Sequence, residues 1–489
     1  MKVIKVSPIV KAMTPFSIFS LLYMAAFALH MTEAVVEDFK SPALALAFLA
    51  IIGILGFASF AKLRWLKASH TFFCFLILSS GYFFLFLFPD VDNHVNLLLY
   101  LNIAMAACLA AWAFGPCKKS QDEIFDRIAP FLRSAAVILY FFAGFHKINS
   151  DFFDPYVGCA VTFARLILNQ FNLHNIAIPV SSAPVIAALI ISTEFLGGLL
   201  LLVKRFQLPV LVFLGGFHGL LAMVTFPAFS ALMMSVLSAF IPKNYWMIII
   251  DNPVNFLHYR IQRVFVYFSL ILATGFFTGL YFEFFGPTSW NINWNINFLL
   301  GLVLNVASLI FFWPIIRTLL SRKGPKWHGV SIWNPALPKY FLLFLAFLIF
   351  FGMNPYLGLR TAGTFTMYSN LVTEGNQSNH LLLHSNALKV FGYQEDVVEI
   401  IEITPHKPRN RGNYLRKGIS LPVVEFKKHI LDWRQMGAKV PAVYSYGGKV
   451  YTTQDIVHDT LWKSVKPNWE TALLDFRVIQ KQGPNACRW

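Results

Sequence analysis

The sequence predicts a polytopic α-helical membrane protein of about eleven membrane segments, one pair of them broken or re-entrant, followed by a C-terminal, strand-rich α+β extramembrane domain. Three observations carry this expectation. The 489 residues are 57% hydrophobic and include 51 Phe. Only 13% are charged, about half of the ~25% usual in soluble domains. Apolar runs recur from Phe16 to Asn354 and then stop. A net charge of +16 in a soluble chain would suggest nucleic acid. Spread over short loops between apolar runs, it suits an anionic lipid surface instead, so the expected partner is the lipid bilayer and no nucleic acid.

The expected spans are 15–31, 43–61, 70–88, 96–115, 128–146, 181–203, 208–225, 228–241, 263–284, 295–318 and 339–354, each judged against the ~20 residues that cross a bilayer. The first lacks a small-residue cleavage site and reads as a span, not a removed signal. Residues 208–241 read as two short helices because Pro227 removes a helix donor after Thr225 and Phe226. If they cross twice, Lys2, Lys5 and Lys11, then Lys62 and Arg64, then Lys118 and Lys119, then Lys204 and Arg205, then Arg317 and Arg322 all fall on one side. Glu33, Glu37, Asp90 and Asp92 fall on the other. The positive-inside rule then puts the N-terminus in the cytoplasm and the C-terminal domain on the extracytoplasmic side. It also puts Lys147 at the outer face, where basic residues are otherwise scarce.

The expected domains are 1–355, helical and transmembrane, and 356–489, mixed and strand-rich. In the second, 396–403 partly alternates and reads as a strand, Pro422 opens an amphipathic helix that runs to Trp433, and Gly447-Gly448 joins a hairpin. The cysteines Cys74, Cys108, Cys117, Cys159 and Cys487 are too scattered for a metal site or a disulfide framework. Cys159 and Cys487 alone fall on the outer side, which leaves room for one disulfide.

Ionisable groups in apolar runs are site candidates, because charge at membrane depth is costly. His146 and Lys147 close the run Tyr140–Phe145, Glu194 lies mid-span, and His218 sits in Gly215–Gly219. On the expected topology these groups converge on one outward-facing cavity. Each has a plainer reading: Lys147 as a snorkelling anchor, His218 as an internal hydrogen-bonding group, and Glu194 as the partner of Lys204, Arg205 or a nearby His. Desolvation of a lysine favours its neutral amine, which can act as a base on a lipid-phase substrate. His380 and His384 would share one face of a strand, the spacing of a two-His metal site, but no metal is expected. None of the common hydrolase, zinc-protease or phosphate-loop motifs is present in the sequence.

The run Phe142-Ala143-Gly144-Phe145-His146-Lys147-Ile148-Asn149-Ser150-Asp151-Phe152 resembles the Ala-Gly-x-Lys-Lys-Leu-Asp-x-Asp-Trp segment of the vitamin K-dependent gamma-carboxylase-like, or horizontally transferred transmembrane (HTTM), family. In the same order, Ser192-Thr193-Glu194-Phe195 resembles that family's Thr-Glu span. Phe217-His218 with Phe229 and Phe240 resembles its His-containing region, and Ser378-Asn379-His380 its His-Gln-His segment. The resemblance implies a membrane enzyme that couples oxygenation of reduced vitamin K, a menaquinol-type quinol, to carboxylation of a peptide or small glutamate-like substrate, with O2 and CO2 as co-substrates. It assigns Lys147 the base role, places His146 where the family has a second lysine, and makes Glu194, His218, Asn379 and His380 candidates for binding substrate or cofactor. Leu221 stands where the family pattern has Asn. Two other classes fit the same residues: a quinone or lipid redox or transfer enzyme without carboxylation, and a non-enzymatic membrane binding, transport or immunity protein.

Overall fold

The computed structural model describes residues 14–37, 68–84, 93–114, 120–171, 173–224, 226–251, 292–321, 325–333, 338–376, 378–384, 388–404 and 415–487. Among them, five helices are long and apolar enough to cross a membrane: Val95–Phe114, Glu123–Phe145, Val180–Leu200, Lys204–Val224 and Lys339–Leu357. The count rises to seven if each of two bent pairs is one span. Among the described residues, the eleven crossings expected from hydropathy are not supported. Two of the expected spans, 43–61 and 263–284, lie outside the described residues. The break expected near Pro227 is present, between helices Gln207–Val224 and Pro227–Leu237. Hydropathy overcounted here because it registers apolar length without geometry. Pro227–Phe240 reaches only about 21 Å at ~1.5 Å per residue, and it turns by 113° into Lys243–Ile250.

The chain forms two compact units. One comprises 1–82, 98–137 and 199–342; the other comprises 83–97, 138–198 and 343–489. The first is held by aromatic edges and close-packed small residues. Phe16, Phe19 and Tyr23 of helix Pro15–Glu37 meet Phe72 of helix Ala68–Tyr82 edge-on, at 5.8 to 6.2 Å between ring centroids. The buried amide of Asn102 accepts from Tyr23 Oη at 2.9 Å and donates to Ser79 Oγ at 2.9 Å, so this polar group costs little in an apolar core. Helices Gln207–Val224 and Ile292–Leu320 cross where Asn305 Nδ2 donates to Gly219 O at 2.9 Å. Close approach through glycine and a bridging amide is how helices associate where lipid supplies no hydrophobic drive.

The second unit carries the C-terminal region. Its antiparallel sheet has the strands β1 Val397–Ile403, β2 Ile419–Pro422, β3 Ala442–Tyr446, β4 Lys449–Thr453 and β5 Ile479–Gln480, in the spatial order β4-β3-β1-β2-β5. Alternation in β1 buries Val398 and Ile400, and the helix Val423–Gln435 covers them with Phe426, Ile430 and Trp433. The hairpin turns at Gly447 and Gly448, both with positive φ, which the twist of a two-residue turn requires. Cys159 and Cys487 are disulfide-bonded. The last span ends in a Schellman arrangement: Gly358 has φ +80° and Leu359 N donates to Asn354 O at 3.1 Å.

Candidate functional site

Three helices of the second unit meet where the helix Gln121–Phe145 ends, and glycines allow the approach. A Cβ on Gly144 would lie 2.6 Å from Phe195 N, one on Gly198 2.7 Å from Tyr140 Cβ, and one on Gly352 would overlap the Phe142 ring. The helix that carries Phe195 has π geometry over Ser192–Leu196 between the α-helices Ala183–Ile191 and Gly197–Leu200. Such a bulge rotates the following residues and is frequent at functional sites. Here it holds Glu194.

Lys147 Nζ lies 2.7 Å from Glu194 Oε2, with side chains 6% and 14% exposed. It also donates to Ala143 O at 3.1 Å. The ammonium thus serves an orphan carbonyl of the last helical turn, where a cation is favoured by the helix dipole. An ammonium has three N–H groups, and among the described residues the third meets no partner. The partner expected for Glu194 is Lys204, Arg205 or a nearby His; the partner found is Lys147. Sequence separation hides this pair, and the glycine contacts between the two helices create it.

His146 is fully buried. Its Nδ1 lies 3.2 Å from Phe365 O and its Nε2 3.0 Å from Gly352 O. Both partners are carbonyl oxygens, so a neutral imidazole, with one N–H, donates to one of them, and only the imidazolium donates to both. Either way the ring faces backbone, beside Lys147. His380 is similarly committed. Its Nδ1 accepts from Leu382 N and Leu383 N, each at 3.1 Å, which leaves Nε2–H to donate to Phe145 O at 2.9 Å. Burial pushes this imidazole below its ordinary pKa, consistent with that neutral tautomer. With both nitrogens on backbone, His380 has no lone pair left for a metal shared with His384. Asn379 Nδ2 donates to Asn370 O at 2.8 Å while its Oδ1 accepts from Val372 N at 2.8 Å.

His218 belongs to the other compact unit. There it is buried between the rings of Phe217 and Phe229, each at 5.5 Å.

The sequence reading gave no role to Asn149. Its Oδ1 caps the turn Ser150–Phe153 by accepting from Phe152 N at 2.9 Å. Its Nδ2 donates to His146 O and Ser369 O. The cap signal is legible in hindsight as Asn before a short helical turn, but its second attachment, to Ser369, is tertiary. Ser369 belongs to a loop with three non-glycine residues at positive φ, Phe365, Tyr368 and Asn370, a conformation that costs of order 1–3 kcal/mol each. Buried Arg477 holds that loop through Ser369 Oγ at 3.2 Å, Leu371 O at 3.3 Å and Thr366 O. Buried Glu374 accepts from the Thr361 hydroxyl and from Arg477 N. The loop thereby supplies the carbonyl that fixes His146.

No family model, curated protein or solved structure matches this chain.

Proposed function

We propose that the protein is an integral membrane enzyme that moves a proton at Lys147 Nζ, of the vitamin K-dependent gamma-carboxylase-like class. The supporting observation is the desolvated Lys147–Glu194 pair, 2.7 Å apart, with one N–H of the ammonium open to a ligand. Glu194 holds the lysine at the end of its helix and shares its proton. Transfer of that proton within the pair would leave an amine beside a carboxylic acid. The amine is then able to take a proton from an acidic hydroxyl. His146, Asn149 and His380 hold the backbone on which Lys147 sits.

The group that suits this setting is a reduced menaquinol-type quinol: its hydroxyl matches the open N–H and the carboxylate, and its rings match the aromatic set of Phe141 with Phe145, 5.6 Å away, and Phe195, 5.2 Å away, between ring centroids. When bound, the quinol with O2 would supply the oxidising power, and CO2 the carbon added to a glutamate-type substrate. The distribution of basic loops supports a cytoplasmic N-terminus and an extracytoplasmic C-terminal region.

The test uses purified protein in lipid nanodiscs with reduced naphthoquinols, O2, labelled bicarbonate and a glutamyl peptide. Epoxide formation and fixed label are expected, both lost in Lys147→Ala. Epoxide without fixed label assigns the redox class without carboxylation. Absence of both products with every naphthoquinol overturns the proposal. One observation favours the non-enzymatic reading, namely the commitment of His146, His380 and Asn379 to backbone. A folded Lys147→Ala protein with its full biological role would establish that alternative.

A further inference from the structure

The C-terminal region carries large apolar side chains on its surface in two stretches, 381–384 and 388–391. Leu382 is 63% and Val390 74% exposed, and Leu388 and Phe391 are exposed beside them in sequence. Single exposed apolar residues need no explanation, but a cluster does. Backbone hydrogen bonds fix where these two stretches lie. Leu381 N donates to Ile148 O at 2.9 Å, just beyond the end of the apolar helix Glu123–Phe145. Val390 N and Phe391 N both donate to Leu357 O, at 3.1 and 3.0 Å, and Leu357 is the last residue of the apolar helix Lys339–Leu357. Gln394 Nε2 caps the same helix end through Pro355 O at 3.0 Å and Leu359 O at 3.2 Å.

That helix has 19 residues and so spans about 28 Å at ~1.5 Å per residue, close to the ~30 Å hydrocarbon core of a bilayer. Its end, Leu357, therefore lies at one hydrocarbon boundary, and residues bonded to Leu357 O lie there too. An aromatic series continues from this point: Phe391 stacks on Tyr393 at 6.4 Å, and Tyr393 meets Trp469 edge-on at 5.9 Å. Trp469 and Leu473 are one helical turn apart, both exposed. Trp and Tyr are the residues that favour the headgroup level.

We propose that the C-terminal region is itself seated in the bilayer, with Leu382, Leu388, Val390 and Phe391 lodged at the boundary of headgroups and acyl chains and Trp469 and Leu473 continuing that contact. The occupant of this surface is lipid, since its depth is set by the ends of two membrane-length helices. The inference is independent of the chemistry at Lys147. It makes the region after the last span an interfacial element rather than a freely tethered domain, and it keeps the loop that holds His146 at a fixed depth.

The test places an environment-sensitive bimane label at Leu382→Cys, Val390→Cys and, as a control on the outer sheet strand, Val450→Cys, which is 64% exposed, in a background with Cys74, Cys108 and Cys117 each replaced by Ala, in nanodiscs. Labels at 382 and 390 are expected to be quenched several-fold more by shallow lipid-borne nitroxide than the label at 450, and several-fold less by aqueous iodide. Equal iodide quenching at all three positions overturns the proposal. So does shielding from both quenchers at 382 and 390, which would mean that protein covers the surface. The unmodified chain gives an independent reading. A photoactivatable lipid with its carbene precursor high in the acyl chain should form adducts in peptides covering 378–391. Adducts confined to the helices overturn the proposal.

Discussion

Removing either partner of the Lys147–Glu194 pair should destabilise the protein by several kcal/mol, and removing both should cost much less. The two charged atoms are 2.7 Å apart and nearly excluded from solvent. At an effective dielectric of ~20 their attraction is about 6 kcal/mol, set against the desolvation of both ions. A single replacement leaves one desolvated charge alone, and such losses run at about 3–5 kcal/mol. Chemistry sets a ceiling on that figure. An isolated carboxyl at pH 7 escapes by taking up a proton for about 4 kcal/mol, and an ammonium by losing one for about 5 kcal/mol, at ~1.36 kcal/mol per pH unit from their ordinary values. Glu194→Leu and Lys147→Met are therefore each expected to lower stability by about 3–5 kcal/mol. The double variant, in which two apolar side chains of similar length face each other, is expected within about 1–2 kcal/mol of the parent, because a well-packed apolar replacement of a buried pair is close to neutral. The assay is a double-mutant cycle on unfolding in a denaturing detergent titration, followed by tryptophan fluorescence. The reasoning is refuted if the single losses are each under about 1 kcal/mol, the range of exposed pairs, or if they add without coupling in the double variant.

Two further predictions concern glycine packing and a buried imidazole. Gly144→Ala puts a methyl 2.6 Å from Phe195 N, so overpacking should cost about 1–3 kcal/mol, whereas Gly215→Ala, with nothing within 4 Å, should be neutral or stabilising by up to about 1 kcal/mol; thermal midpoints of the two variants compare them directly. His429 is buried, neither of its ring nitrogens meets a partner among the described residues, and burial, with help from Lys428, pushes its pKa down to about 4. A folded-state pKa below the unfolded value of ~6.5 means stability that is complete above pH ~6.5 and lost as pH falls towards 4, up to about 3 kcal/mol. Unfolding of the C-terminal region measured from pH 8 to 4 should show this loss, and His429→Phe should flatten it.

What was legible in the sequence is what local pattern encodes. Alternation gave the strand that buries Val398 and Ile400, amphipathic spacing gave the helix of Phe426, Ile430 and Trp433, and Gly447-Gly448 gave the hairpin. Pro227 marked a real break, and the run ending in His146-Lys147 marked the helix end where Lys147 meets Glu194. Apolar length alone could not separate a helix that crosses from one that bends back, so Pro227–Phe240 was counted as a crossing although it turns by 113° into the next helix.

Tertiary structure decided what each polar group does. Lys147 and Glu194 lie 47 positions apart, and nothing local pairs them. The missing side chains of Gly144 and Gly198 let their helices approach, and the π turn at Ser192–Leu196 presents the carboxylate. His146 and Lys147 are adjacent in sequence yet face opposite fates, because consecutive residues at a helix end point in different directions. One ring faces two backbone carbonyls, and one ammonium meets a carboxylate. The sequence by itself determined a membrane chain with ionisable groups at the end of an apolar helix. The physical cost of leaving those groups unpaired in an apolar interior is met only by the residues the fold brings to them, a carboxylate for Lys147 and backbone carbonyls for His146.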